Sequence, residues 1–128
     1  MNAKVAILLV AALAVVAVNG QGNTCVPLGG RLLQTCQDEL SLLQKYYPLD
    51  SSSPPTDAQL SDINANKPDN LPTEACCTAV KAFDDGECAC DASIPPLLGT
   101  LGLSATSTGL QGVAGISGKL CDFTPHTC

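Results

Sequence analysis

The chain has 128 residues, a formal net charge of -6 and eight cysteines, with no tryptophan, two tyrosines and two phenylalanines. An acidic chain repels phosphate backbones, and no basic cluster with interleaved aromatic residues occurs, so we expect no nucleic-acid partner. The same charge argues against electrostatic docking on anionic membranes.

The first twenty residues are typical of a secretory signal peptide. Lys4 precedes an apolar run over residues 5–18, and the run ends in small and polar residues. The run is short for a bilayer span, and Val18 with Gly20 supplies a small-residue cleavage site. We therefore predict cleavage after Gly20 and a single secreted domain over residues 21–128. Without Lys4 its formal charge changes from -6 to -7. No glycolipid-anchor tail follows, so we expect no stable membrane anchor.

Apolar residues at three- and four-residue spacing predict a first helix from Leu28 to about Tyr47. The next segment, residues 48–72, carries five prolines, a triple serine and four aspartates, which predicts an extended acidic loop. Thr56 could cap a short helix of a turn or two within it. We predict that this segment is a flexible flap beside the binding site, and that its deletion leaves folding intact.

Three more helices are predicted in the second half. One begins at Thr73 and stops at residues 84–86. An irregular one runs from Glu87 to about Ala92 and breaks at the two prolines 95–96, unless the second proline opens a fresh turn. The last runs from about Thr108 to Leu120, with a glycine at every third position. Each glycine costs roughly 1 kcal/mol relative to alanine, so packing and a disulfide must hold this helix. Residues 122–128 are predicted to be nonregular.

An even number of cysteines in a small secreted chain predicts four disulfides. Neither the adjacent pair nor the Cys-Ala-Cys step has the spacing of a zinc site, and His126 is the only histidine, so we expect no metal and no cofactor. The eight cysteines are Cys25, Cys36, Cys76, Cys77, Cys88, Cys90, Cys121 and Cys128.

The cysteines follow the order single, single, adjacent pair, spaced pair, single, single. This pattern resembles the superfamily of plant non-specific lipid-transfer proteins, seed 2S albumins and cereal amylase and protease inhibitors. The stretches Ala-Cys-Cys-Thr-Ala-Val over 75–80, Pro-Leu-Leu-Gly-Thr-Leu-Gly-Leu-Ser over 96–104 and Pro-His-Thr-Cys over 125–128 are similar to the acidic lipid-transfer proteins implicated in systemic resistance. The interval of 39 residues before Cys76 is longer than is usual in that superfamily.

The resemblance implies an all-α, disulfide-stapled, right-handed bundle of four helices around a tunnel for lipid tails, with the C-terminal segment as one wall. It also implies pairing of Cys36 with Cys76 and of Cys77 with Cys121. Two arrangements stay open for the other four cysteines. They are Cys25–Cys90 with Cys88–Cys128, or Cys25–Cys88 with Cys90–Cys128. Small, apolar Ala89 can face inward, which weakly favours the second arrangement.

A chain with so few aromatic residues must line a bundle interior with smaller aliphatic side chains, so a cavity can persist, and disulfides offset its cost in stability. A head group could meet Arg31, Lys45, Lys81 or Lys119 at the mouth. The residues that we expect to line the cavity and bind lipid are Leu32, Leu33, Leu40, Leu43, Val80, Phe83, Leu98, Leu101, Leu110, Val113 and Phe123.

These features predict a monomer that binds a fatty acid or lysophospholipid non-covalently and catalyses no reaction. No Gly-x-Ser-x-Gly elbow occurs, and the histidine lies in a short tail. The alternative is an amylase or protease inhibitor on the same cysteine scaffold, with residues 48–72 as its exposed loop. Storage albumins are richer in glutamine and arginine than this chain.

Overall fold

The computed structural model describes residues 24–128, so the predicted signal peptide lies outside the described residues. The described part is all-helical and contains no strand, which confirms the predicted fold class of a disulfide-stapled helical bundle, with six α-helices where four were predicted. One 3₁₀ turn spans Cys88–Cys90. The six α-helices are α1 (Cys25–Thr35), α2 (Gln37–Tyr46), α3 (Asp57–Asn66), α4 (Glu74–Asp85), α5 (Ile94–Thr100) and α6 (Ser107–Leu120).

The predicted first helix is two helices that meet at Cys36. The backbone of Cys36 leaves the helical region at φ -107° and ψ 29°, although its N–H still donates to the carbonyl of Leu32. Its side chain is 1% exposed and is cross-linked to Cys76 at the start of α4. The prediction of one continuous helix is wrong because apolar spacing continues unchanged through this break.

The prediction of an extended loop over residues 48–72 is wrong, because the segment contains α3 and packs against the core. Thr56 and Gln59 form a reciprocal capping box that starts α3, and the Gln59 side chain also donates to the carbonyl of Tyr46 at the end of α2. Ile63 on α3 is fully buried, and Leu71 is 8% exposed. Of this segment, only Leu49 lines the main cavity. The capping signal was correct, but the helix is ten residues long because its apolar face packs into the core.

The glycines of α6 provide the surface on which residues 47–53 dock. A Cβ at Gly112 would overlap the ring of Tyr47, and one at Gly109 would overlap the carbonyl of Leu49. The Tyr47 hydroxyl donates to the carbonyl of Ser53 at 2.7 Å, and burial raises the pKa of Tyr47. The predicted cost of these two glycines is therefore offset by close contact between helix and segment.

The third predicted helix is a 3₁₀ turn followed by a separate helix, α5. Pro95 and Pro96 lie in the first turn of α5, where a missing backbone N–H removes no intrahelical hydrogen bond. The alternative that a fresh turn opens at the prolines is therefore the one observed: a new helix begins at Ile94, and both prolines lie in its first turn. Its apolar residues Ile94 and Leu98 are buried in the core.

All eight cysteines form disulfides, as predicted. The two pairs implied by the resemblance are confirmed, and the second arrangement holds for the other four cysteines. Ala89 packs, partly buried, against the main hydrophobic core. Cys25–Cys88 joins α1 to the 3₁₀ turn, and Cys36–Cys76 joins the α1–α2 junction to α4. Cys77–Cys121 joins α4 to the end of α6, and Cys90–Cys128 joins the 3₁₀ turn to the C-terminal segment.

Candidate functional site: an apolar cavity with a polar mouth

A cavity of about 400 Å³ opens between the helices. Side chains from α1, α2, α4, α5 and α6 form it, together with two residues from connecting segments. Its lining is mostly aliphatic, with one aromatic ring. The lining residues are Cys25, Val26, Gly29, Leu32, Leu33, Gln37, Asp38, Leu40, Ser41, Gln44, Leu49, Phe83, Ile94, Leu97, Leu98, Leu103, Leu110 and Val113.

The structure brings seven of the eleven predicted cavity residues together around this space. They come from five different helices, so no single periodic pattern connects them. Phe83 on α4 and Val113 on α6 are both 5% exposed, which shows that the cavity wall is built from core side chains. The seven are Leu32, Leu33, Leu40, Phe83, Leu98, Leu110 and Val113.

Four predicted residues do not line the cavity. Leu43 is 2% exposed and packs in the main core. Val80 belongs to a second apolar cluster with Cys36, Cys76 and Ala79, and Phe123 packs against that cluster from the C-terminal segment. Leu101 follows the last residue of α5. The C-terminal segment therefore covers the second cluster, and none of its residues lines the cavity.

Five apolar lining residues were not predicted: Val26, Leu49, Ile94, Leu97 and Leu103. Ile94 and Leu97 lie in the first half of α5, next to the prolines that indicated a helix break. Leu49 lies in the segment predicted to be a mobile loop. A signal was present at Leu97 and Leu103, which belong to the stretch that carried the resemblance.

One face of α2 gives the cavity a polar edge. Gln37, Ser41 and Gln44 recur at helical spacing, Asp38 lies beside them, and all four are exposed while also lining the cavity. They lie at the cavity's mouth, where an otherwise apolar ligand would present its polar end.

None of the four predicted head-group cations lines this cavity. Arg31 and Lys45 are exposed elsewhere on α1 and α2. Lys81 forms an exposed ion pair with Asp85 at 2.7 Å, and this hydrogen bond raises the pKa of Lys81. Lys119 borders a smaller gap of about 110 Å³ between α3 and α6.

The C-terminal segment is anchored by a buried carboxylate. Asp84 on α4 is 5% exposed and accepts a hydrogen bond from the backbone N–H of His126 at 3.0 Å. The ring Nδ1 of His126 lies 2.7 Å from the second carboxylate oxygen. Hydrogen bonding to Asp84, followed by its negative charge, raises the pKa of His126. The segment is thus held by this pair and by the Cys90–Cys128 disulfide.

Asp84, Asp85 and His126 also form the one group over residues 24–128 whose potential metal-ligating atoms lie within 4.8 Å of one another. Ion pairs within the protein explain why these three side chains lie close together. Asp84 is engaged by His126, and Asp85 by Lys81. In the described part of the chain, no buried polar side-chain atom lacks a hydrogen-bond partner.

No helix over residues 24–128 combines the length and the hydropathy needed to cross a membrane. Comparisons of the chain with protein-family models, with curated proteins and with solved structures found no match.

Proposed function

We propose that this protein binds the hydrocarbon tail of a single-chain lipid, of the fatty-acid or lysophospholipid type, in the cavity between its helices. The observation that carries the proposal is an apolar space of about 400 Å³ inside a domain of this size. Ligand pockets usually measure about 300–1,000 Å³, whereas most core voids are no larger than a water molecule.

The volume suits a hydrocarbon chain. A methylene group occupies on the order of 30 Å³, about the share of one water molecule in the liquid, so about a dozen methylenes fill the cavity. At about 0.8 kcal/mol for each buried methylene, their transfer from water contributes roughly 10 kcal/mol before the costs of association. Since this driving force is non-directional, we expect tails of several lengths to bind, with small differences between neighbouring lengths.

The disulfides explain how the chain can fold around unfilled space. A void costs about 24 cal/mol for each cubic ångström in a core that cannot collapse. Cross-links typically contribute 2–4 kcal/mol each, mainly by restricting the unfolded chain. Four disulfides link α1, α4, the 3₁₀ turn, the end of α6 and the C-terminal segment of this small domain. We propose that they replace close packing as the main source of stability.

The resemblance of the cysteine pattern to plant lipid-transfer proteins supports the same function. The four observed disulfides are compatible with that superfamily. We propose on this basis that the protein is secreted as a monomer and belongs to the acidic lipid-transfer type, with a role in lipid transfer or plant defence.

The inhibitor hypothesis has less support. It depended on an exposed loop over residues 48–72, and much of this segment forms α3, with Ile63 buried. Inhibition of amylase and trypsin is nevertheless a direct test of that alternative. Enzyme inhibition without lipid binding would favour it over the lipid-binding proposal.

Titration with an uncharged fluorescent probe that carries one long alkyl chain tests lipid binding. We expect an increase in emission on binding, saturation at one probe for each chain, and displacement by lysophospholipid. Leu33→Asn should weaken binding by roughly tenfold, because it replaces a lining leucine with a polar amide.

Leu42→Asn is the matched control. Leu42 is also a partly buried helical leucine, but it does not line the cavity. Circular dichroism should show that both variants are folded. Equal affinity of the two variants for the probe, or no change in emission with the unmodified protein, would contradict the proposal.

A further inference from the structure

We infer that Asp38 makes the cavity select its ligand by head-group charge. For one and the same hydrocarbon chain, a cationic head group binds more tightly than a neutral one, and a neutral one more tightly than an anionic one. This inference rests on the proposed function and ranks the lipids that it names: an ionised fatty acid should bind less tightly than an uncharged lipid with the same tail.

In the part of the chain from residue 24 to residue 128, the mouth of the cavity carries a single charged group. Among the described residues that line the cavity, Asp38 is the single charged side chain, and its polar neighbours are the amides of Gln37 and Gln44 and the hydroxyl of Ser41. Amide and hydroxyl groups both donate and accept hydrogen bonds, so they serve head groups of any charge. The carboxylate of Asp38 attracts a cation and repels an anion.

The N-terminus of α2 lies at this mouth, and a helix N-terminus normally attracts anions. Two acidic residues, Asp38 and Glu39, occupy the first turn of α2. Glu39 is 7% exposed, and its carboxylate accepts hydrogen bonds from the backbone N–H and the hydroxyl of Thr73 at 2.9 and 3.0 Å. The first turn of α2 therefore already carries two negative charges that complement the positive end of the helix dipole, which weakens it as an anion site.

None of the described lysines and arginines lines the cavity. Arg31 and Lys45 are exposed on α1 and α2 but do not line the cavity, and Lys81 is paired with Asp85. An anionic head group at the mouth thus meets Asp38 without a lining cation to compensate. A formal net charge of -6 for the whole chain adds to this repulsion.

Three ligands with one dodecyl chain test the inference: dodecyltrimethylammonium, 1-O-dodecylglycerol and dodecyl sulfonate, each below its critical micelle concentration. Affinities are measured by displacement of the uncharged probe at low ionic strength. Exposed charge pairs change affinity by roughly two- to fivefold for each unit of charge. We expect Kd to rise in the order cation, neutral, anion. The differences between the three Kd values should become smaller when the salt concentration is raised from about 0.01 M to about 0.15 M, because the screening length falls from ~30 to ~8 Å.

Asp38→Asn should bring the three affinities close together. Asp57→Asn is the matched control, because Asp57 lies in the first turn of α3, is exposed and does not line this cavity. It makes the same change in net charge and removes a comparable helix-dipole interaction. We expect it to leave the order of affinities and their spread almost unchanged.

The outcomes separate the inference from the proposed function. Binding of all three ligands with the anion tightest, or an equal effect of Asp38→Asn and Asp57→Asn, would overturn the inference and leave lipid binding intact. Failure of all three ligands and the probe to bind would overturn both.

Discussion

Two glycine-to-alanine substitutions in α6 should change stability in opposite directions. A methyl group at Gly115 meets no atom within 4 Å, so Gly115→Ala should stabilise the protein by up to about 1 kcal/mol through helix propensity. A methyl group at Gly112 would overlap the ring of Tyr47, which is 1% exposed. Overpacking costs about 1–3 kcal/mol, and displacing Tyr47 weakens its hydrogen bond to Ser53, worth about 1 kcal/mol.

After the gain in propensity, Gly112→Ala should destabilise the protein by about 1–3 kcal/mol, so the two variants should differ by about 2–4 kcal/mol. Equilibrium denaturation in guanidinium chloride, with the disulfides intact, measures this difference from the midpoint and slope of each transition. Equal stabilisation by the two substitutions would refute the packing of Tyr47 against α6.

Two further predictions concern α3 and the C-terminal segment. Ile63→Ala should destabilise the protein by about 2–5 kcal/mol in the same denaturation assay, because Ile63 is fully buried. Asn64→Ala is the control: Asn64 is exposed, so its substitution should change stability by no more than about 0.5 kcal/mol. Equal effects of the two substitutions would show that α3 is a loosely attached flap. Because the pKa of His126 is raised, its pairing with Asp84 contributes its full stabilisation at pH values below the ordinary pKa of 6.5. This stabilisation is lost as the pH rises through the raised pKa. His126→Ala should therefore reduce stability more at about pH 5.5 than at about pH 8.5, and a loss that grows with pH would contradict this assignment.

The sequence contained enough information for the fold class and for the presence of four disulfides. Two of the pairs followed from the resemblance to a known superfamily, and two arrangements stayed open for the other four cysteines. Apolar spacing identifies helices without needing their ends. The break at Cys36 could not be predicted, because its residues have ordinary helical propensities and the deviation accompanies a disulfide to a helix distant in the sequence. The length of α3 was missed for a similar reason. Its burial depends on contacts with α2 and the core, while its composition is that of a loop.

The cavity was only partly predictable. A periodic pattern shows which side of a helix is buried, but not which of several apolar spaces that side faces. Leu40 and Leu43 lie on the same helix, yet only Leu40 lines the cavity. Val80 lies three residues before Phe83 and faces the second cluster. The polar mouth was missed because the exposed face of α2 has the composition of an ordinary solvated surface.

Native mass spectrometry of the oxidised protein mixed with a long-chain monoacylglycerol tests most directly whether the interior accepts a lipid tail. We expect a complex of one lipid with one chain that persists in Leu42→Asn and is largely lost in Leu33→Asn. A spectrum that contains only the unliganded chain, or adducts of variable number that neither substitution changes, would contradict this expectation.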